Sequence, residues 1–158
     1  MGYNTILVGI GGEKWRRTMF IGQYRYNLDD KGRLVIPQEY RKQLGNELII
    51  NKGIEKCITI YKISDWEKVV EKLSELPFNQ RENRMFYRYY LANAYQKEID
   101  NQGRINIDPD LVKHSEITKE CVIIGAGNFI EIWSKEKWEA IEARRADELD
   151  ELSENLSI

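Results

Sequence analysis

Two short segments carry the side chains best suited to chemistry. Asp29-Asp30-Lys31-Gly32-Arg33 and Asp100-Asn101-Gln102-Gly103-Arg104 share the form D-x-x-G-R. Glycine admits the positive φ of a tight turn, and the aspartate can accept N–H bonds from that turn. The arginine is then expected at the turn's tip, its rigid fork of donors suited to phosphate oxygens or to guanine O6 and N7. Lys31 adds a charge in the first motif only. A structural role competes with this one, in which the aspartate pairs with the arginine and both lock a hairpin. Recurrence of the motif at equivalent places brings the two roles to about equal weight.

Other candidates are weaker. Arg81, Arg84 and Arg88 fall on one face of an expected helix; such a stripe can bind an anion but is more often a solvated face. Phe86, Tyr89 and Tyr90 read as core or oligomer contacts rather than base-stacking platforms. Cys57 and Cys121 lie in apolar strands and read as small buried hydrophobes. Catalysis is not expected. There is no phosphate loop, Ile130 stands where the Gly125-Ala126-Gly127 segment would need a third glycine to hold a dinucleotide, and His114 is the lone histidine. One histidine and no close cysteine pair supply no zinc site, so neither metal nor cofactor is expected.

The elements that position the motifs come in two copies. From Asp29 to Asp100 the offset is 71, and Tyr24/Tyr95 and Ile36/Ile107 match at the same spacing. Further on, Gly53/Gly125, Ile58/Ile130, Ile60/Ile132 and Trp66/Trp138 match at 72, which implies one residue inserted in the second copy. Each copy reads as a strand (Gln23–Leu28; Tyr95–Ile99), the D-x-x-G-R turn, and a second strand (Arg33–Ile36; Arg104–Ile107). A short helix opened by Pro37 or Pro109 follows, with Asp108 as a good N-cap and Gly45 just past the first helix end. Two strands come next, with the period-two pattern of Ile58 and Ile60, and of Phe129, Glu131 and Trp133. A closing helix is expected to start from a capping box, Ser64-x-x-Glu67, in the first copy and from Ser134 in the second. Trp66, Val69, Val70, Leu73 and Leu76 form its inward face, as do Trp138 and Ile141 in the second. Residues 79–90 read as a helical linker.

A unit of roughly 45 residues can barely bury a core alone, so the copies are expected to interleave into one β-rich barrel. The resulting fold class is α+β: two tandem units interleaved into a single β-barrel with flanking helices. The units span residues 23–65 and 94–137, with a helical linker at 66–93 and an acidic C-terminal helix and tail at 138–158.

The 158 residues have a net charge of -2, with 42% hydrophobic and 32% charged side chains, which fits an ordered globular chain. Two cysteines cannot make a disulfide scaffold, which points to a reducing compartment. No apolar run approaches the roughly 20 residues of a membrane helix. Residues 131–158 carry a net of -5 and the rest +3. A body so mildly basic is not that of a monomeric nucleic-acid binder, so DNA binding would need a local patch or many copies. Residues 1–18 form an extension. Trp15-Arg16-Arg17-Thr18-Met19 permits codons with a GGAGG run just before an ATG, so Met19 is expected to be the start, with residues 1–18 a translated leader.

From Met19 to Ile158 the sequence resembles the MraZ family, bacterial regulators associated with the division and cell-wall gene cluster and built from two SpoVT/AbrB-type units. The resemblance rests on Asp29-x-Lys31-Gly32-Arg33-Leu34 with Pro37, on Asp100-x-x-Gly103-Arg104 and on Phe129-Ile130-Glu131-Ile132-Trp133. It implies a swapped-hairpin barrel, a ring-shaped homo-oligomer and sequence-specific binding to double-stranded DNA at the promoter upstream of its own operon. The implied location is cytoplasmic and nucleoid-associated. The implied DNA-facing residues are Asp29, Lys31, Gly32 and Arg33 in the first loop and Asp100, Gly103 and Arg104 in the second. A ring of many arginine-bearing loops would gain avidity of about 10²–10⁴ over one loop and favour short repeated sites. The competing function is a ring-forming structural or interaction module whose hairpins bind another protein.

Overall fold

The computed structural model describes residues 19–158; the expected start at Met19 concerns a segment, 1–18, outside the described residues. The first copy contributes β1 (Gln23–Asn27), β2 (Arg33–Val35), α1 (Gln38–Leu44), β3 (Glu47–Lys52), β4 (Ile58–Lys62) and α2 (Ile63–Ser74). Helix α3 (Arg81–Ala92) links it to the second copy. That copy contributes β5 (Tyr95–Glu98), β6 (Arg104–Asn106), α4 (Pro109–Ser115), β7 (Glu120–Gly125), β8 (Phe129–Ser134) and α5 (Lys135–Arg145), before a last helix α6 (Leu149–Leu156). The class is α+β, as the repeat pattern requires.

Six strands form an antiparallel sheet in the order β1-β7-β8-β4-β3-β5, and β2 pairs with β6 in a separate ladder. The copies therefore interleave. The first strand of copy one lies on β7 of copy two, the first strand of copy two lies on β3 of copy one, and the strands after the two turns pair with each other. The apolar set Ile58, Ile60, Ile130 and Ile132 is buried where β4 meets β8, and Leu34 and Ile105 close the same core from the β2–β6 ladder. Both cysteines are buried within it, which pushes the Cys121 thiol up to about 11 and Cys57 higher.

Register corrects the single-insertion reading. Ile50 faces Ile60 and Ile123 faces Ile132, so β3 and β7 correspond at an offset of 73 while β4 and β8 keep 72. Two residues are added in the link after the short helix, 45–46 against 116–119. One is lost in the strand-to-strand loop. Glu116 takes the left-handed conformation at the helix end, with φ 61°, where the first copy uses Gly45 with φ 81°. Gly125, the last residue of β7, lets the N-terminal segment approach: a Cβ there would lie 2.3 Å from the backbone of Phe20 and Ile21.

The caps divide. Ser134 Oγ accepts from Lys137 N at 3.1 Å, as expected. The expected capping box does not form, because α2 begins at Ile63 with Lys62, the counterpart of Ser134, at the cap position; Ser64 lies inside the first turn. Asp108 is at the cap position of α4, but its carboxylate pairs with Lys97 instead of the helix N–H groups. Pro37 occupies the cap position of α1.

Trp66 packs 5.6 Å from both Tyr61 and Tyr90, and Trp138 lies 6.0 Å from Trp133. Leu76 falls beyond the end of α2 and is exposed. Both tryptophans are half-buried, so Trp66→Ala and Trp138→Ala are expected to cost about 3 kcal/mol each, the low end for such truncations. Urea unfolding checks this; full stability in either variant would contradict the packing described.

Candidate nucleic-acid interface

The two D-x-x-G-R segments fold into the same turn. Asp29 Oδ1 accepts from Lys31 N at 2.9 Å and from Arg33 N at 2.8 Å. Asp100 Oδ1 accepts from Gln102 N at 2.9 Å and from Arg104 N at 2.8 Å. Gly32 and Gly103 both hold φ 78°, the left-handed value that favours glycine. Both carboxyls sit below the usual aspartate value, chiefly because the N–H of Arg33 or Arg104 is bound to the ionised form.

The arginines are not at the tips. Asp30-Lys31 and Asn101-Gln102 form the tips, and Arg33 and Arg104 are the first residues of β2 and β6. Arg33 Nε donates to Asp29 Oδ2 at 2.8 Å and Arg104 Nε to Asp100 Oδ2 at 2.9 Å. The hairpin-locking role is thus realised, but through Nε alone. Among the described residues, the Nη atoms of both arginines make no hydrogen bond, which leaves the outer edge of each fork for a ligand.

The fold adds a relation that spacing did not reveal. In the β2–β6 ladder Arg33 faces Asn106, Leu34 faces Ile105 and Val35 faces Arg104, so the two turns are related by a local two-fold through the Leu34–Ile105 pair. Strand alternation sends Leu34 and Ile105 inward, each 1% exposed, and puts Arg33 and Arg104 together on the outward face. They are diagonal neighbours, a placement of about 7–8 Å in antiparallel ladders. Each turn is also tied to the other copy: Ile107 N donates to Gly32 O at 2.7 Å and Ile36 N to Gly103 O at 2.8 Å.

Arg41 is a functional candidate that the sequence reading missed. It lies on α1, and its Nη1 donates to Ile36 O at 2.8 Å. A Cβ on Gly103 would stand 1.9 Å from that same Nη1, so the guanidinium lies directly against the second turn. The second turn lacks a lysine matching Lys31, and Arg41 supplies a cation there from another element. No sequence signal marks it, because the contact joins opposite copies. The Arg81, Arg84, Arg88 stripe shows no comparable construction; Arg84 Nη1 donates to the Phe78 carbonyl at 3.0 Å.

The family sequence model described as "MraZ protein, putative antitoxin-like" matches the chain twice, over residues 19–89 and 90–157. The chain belongs to the MraZ family. Curated relatives agree. A protein named Transcriptional regulator MraZ from Lactobacillus delbrueckii subsp. bulgaricus is 44% identical over 138 residues, 87% of this chain and 96% of the relative. Proteins of the same name from Lactobacillus helveticus and Pediococcus pentosaceus are each 43% identical over the same shares. Within this MraZ chain, no helix among the described residues is long and apolar enough to cross a membrane, and no group of metal-binding side chains occurs among them.

The lowered carboxyls give a pH signature. A depressed Asp29 or Asp100 pKa stabilises the turns fully above the ordinary value of 3.8, and that contribution is lost as pH falls through the lower folded value. Amide exchange at Arg33 and Arg104 is expected to be protected, after correction for intrinsic rate, at neutral pH and to lose protection only in acid. Asp29→Asn should remove the acid transition at Arg33 alone. A transition near neutrality would contradict the assignment.

Proposed function

We propose that the chain is a transcriptional regulator that binds DNA in a sequence-specific way through the paired turns. The observation that carries this is the outward face of the β2–β6 ladder, where Arg33 and Arg104 share one surface with their Nη groups uncommitted among the described residues. Asp29 and Asp100 orient the forks, Gly32 and Gly103 give the turns their shape, and Lys31 and Arg41 add one cation to each turn. Guanine edges or phosphates are the chemistry such forks fit.

One ladder alone is a weak electrostatic site. Lys31, Arg33, Arg41 and Arg104 are offset by Asp29, Asp30 and Asp100. Affinity then comes from repetition, which favours a ring of many copies on short repeated promoter sites upstream of its own operon, the division and cell-wall cluster. Exposed Phe78, Met85, Phe86 and Tyr89 in and before α3 supply apolar surface for such a homo-oligomer. A barrel closed by the β2–β6 ladder, and action in the cytoplasm on the nucleoid, complete the reading.

The test is a gel shift with DNA from upstream of the operon across a salt series, on protein whose mass is measured by sedimentation. Retention of that DNA over shuffled DNA, by an assembly larger than a dimer, is expected. A monomer at micromolar concentration, or equal retention of both DNAs, would remove the proposal.

A further inference from the structure

The two copies treat one groove differently. In the first copy, the hollow between α2 and the sheet is covered by α3: Tyr90 lies 5.6 Å from Trp66, and Asn51 Nδ2 donates to the Tyr90 carbonyl at 2.9 Å. Tyr90 is 8% exposed as a result. The corresponding hollow between α5 and β8 is an open groove of about 660 Å³ floored by Ile124, Trp133, Trp138 and Ile141. By register, Ile124 stands where Asn51 stands, and Trp138 where Trp66 does.

The helix that follows α5 leaves this groove empty. Six residues including Pro77 separate α2 from α3, enough to turn back, but only 146–148 separate α5 from α6. Ala146 and Glu148 hold right-handed helical angles, and the link has neither glycine nor proline. Helix α6 consequently presents Leu149, Leu152 and Leu156, 37–68% exposed, at helical spacing on one stripe. Asp150, Glu151 and Glu154 flank that stripe, while Lys56, Lys137, Arg144 and Arg145 line the groove with two acids, Glu55 and Glu131; Lys137 pairs with Glu116 and Arg145 with Glu148.

We infer that the groove between α5 and β8 receives helix α6 of a second copy of this chain. The apolar stripe covers the tryptophan floor and the acidic flanks meet Lys56 and Arg144, so the second repeat gains in trans the cover that α3 gives the first in cis. The inference is independent of the DNA-contact proposal.

Cysteine cross-linking tests it on full-length chains. One form carries Leu152→Cys and a co-expressed, mass-tagged form carries Ala140→Cys, an exposed residue lining the groove. Native Cys57 and Cys121 are buried and do not compete. Mild oxidation is expected to shift the two forms into one band at their summed mass. The matching pair with Lys68→Cys, the corresponding exposed position on α2, should give none. Absence of the heteropair, an equal yield with Lys68→Cys, or a link formed only within one chain by the Leu152→Cys, Ala140→Cys double variant would overturn it. The readout needs no DNA, so its failure leaves the DNA reading untouched.

Discussion

Replacing Arg33 and Arg104 together by alanine is expected to abolish the preference for the upstream DNA and leave the melting temperature nearly unchanged. Each fork that reads a guanine edge is worth about 1–3 kcal/mol on the cognate sequence, so losing both costs roughly 2–6 kcal/mol per ladder before avidity multiplies it. Stability should hold because each arginine–aspartate pair is about a third exposed, at 32% and 36% for Arg33 and Asp29. Solvent screens such exposed pairs, so they add little to stability. The aspartates also keep their backbone donors in the variant. If the forks hold phosphate instead, the slope of log K against log salt should fall by about 0.9 for each phosphate no longer neutralised, on any sequence. Arg33→Lys separates the modes, since lysine keeps the charge and loses the fork. A double variant that melts early or loses its assembly would show that the pairs serve the turn alone.

Leu34→Ala is the second large effect. Leu34 is 1% exposed and meets Ile105 at the centre of the ladder that joins the two turns. Its truncation is expected to cost about 2–5 kcal/mol, a large share of the stability of a domain this size. The damage should also be local. The amides of Ile36 and Ile107, which donate across the ladder to Gly103 and Gly32, should exchange faster than in Leu48→Ala. Leu48 is equally buried but lies in β3, outside the β2–β6 ladder. Equal exchange in the two variants at matched stability would mean that the ladder does not hold the turns together.

The motifs and strands were legible because each rests on local rules. Gly32 and Gly103 mark turns, and the alternation of Ile58 and Ile60 marks a strand, although β4 is buried on both faces, Thr59 and Tyr61 included. Pairing was harder to read. The residues of β1 mark a strand, but not that its partner is β7 rather than β2. The position of the arginines followed from the turn itself, because Asp29 draws the Arg33 N–H and Nε back to one carboxylate and moves the side chain off the tip. Ser64 misled as a cap because the pattern S-x-x-E occurs two residues past the actual cap position; the repeat offset of 72, applied to Ser134, points to Lys62. Arg41 was invisible for a different reason. Its partner, Gly103, is reached only after the two copies interleave. Of the linker aromatics, Tyr90 is buried while Phe86 and Tyr89 face outward, a division that depends on how α3 turns back onto Trp66.

The central claim is that the paired turns touch DNA, and photocross-linking from the turn tips tests it most directly. A photoreactive side chain at Lys31 or at Gln102, both exposed tip residues, should label the upstream DNA in the retained complex. The same side chain at Lys68 on α2 should not. Labelling from Lys68 with none from Lys31 or Gln102, in a complex that still retains DNA, would place the DNA on another surface and contradict the account.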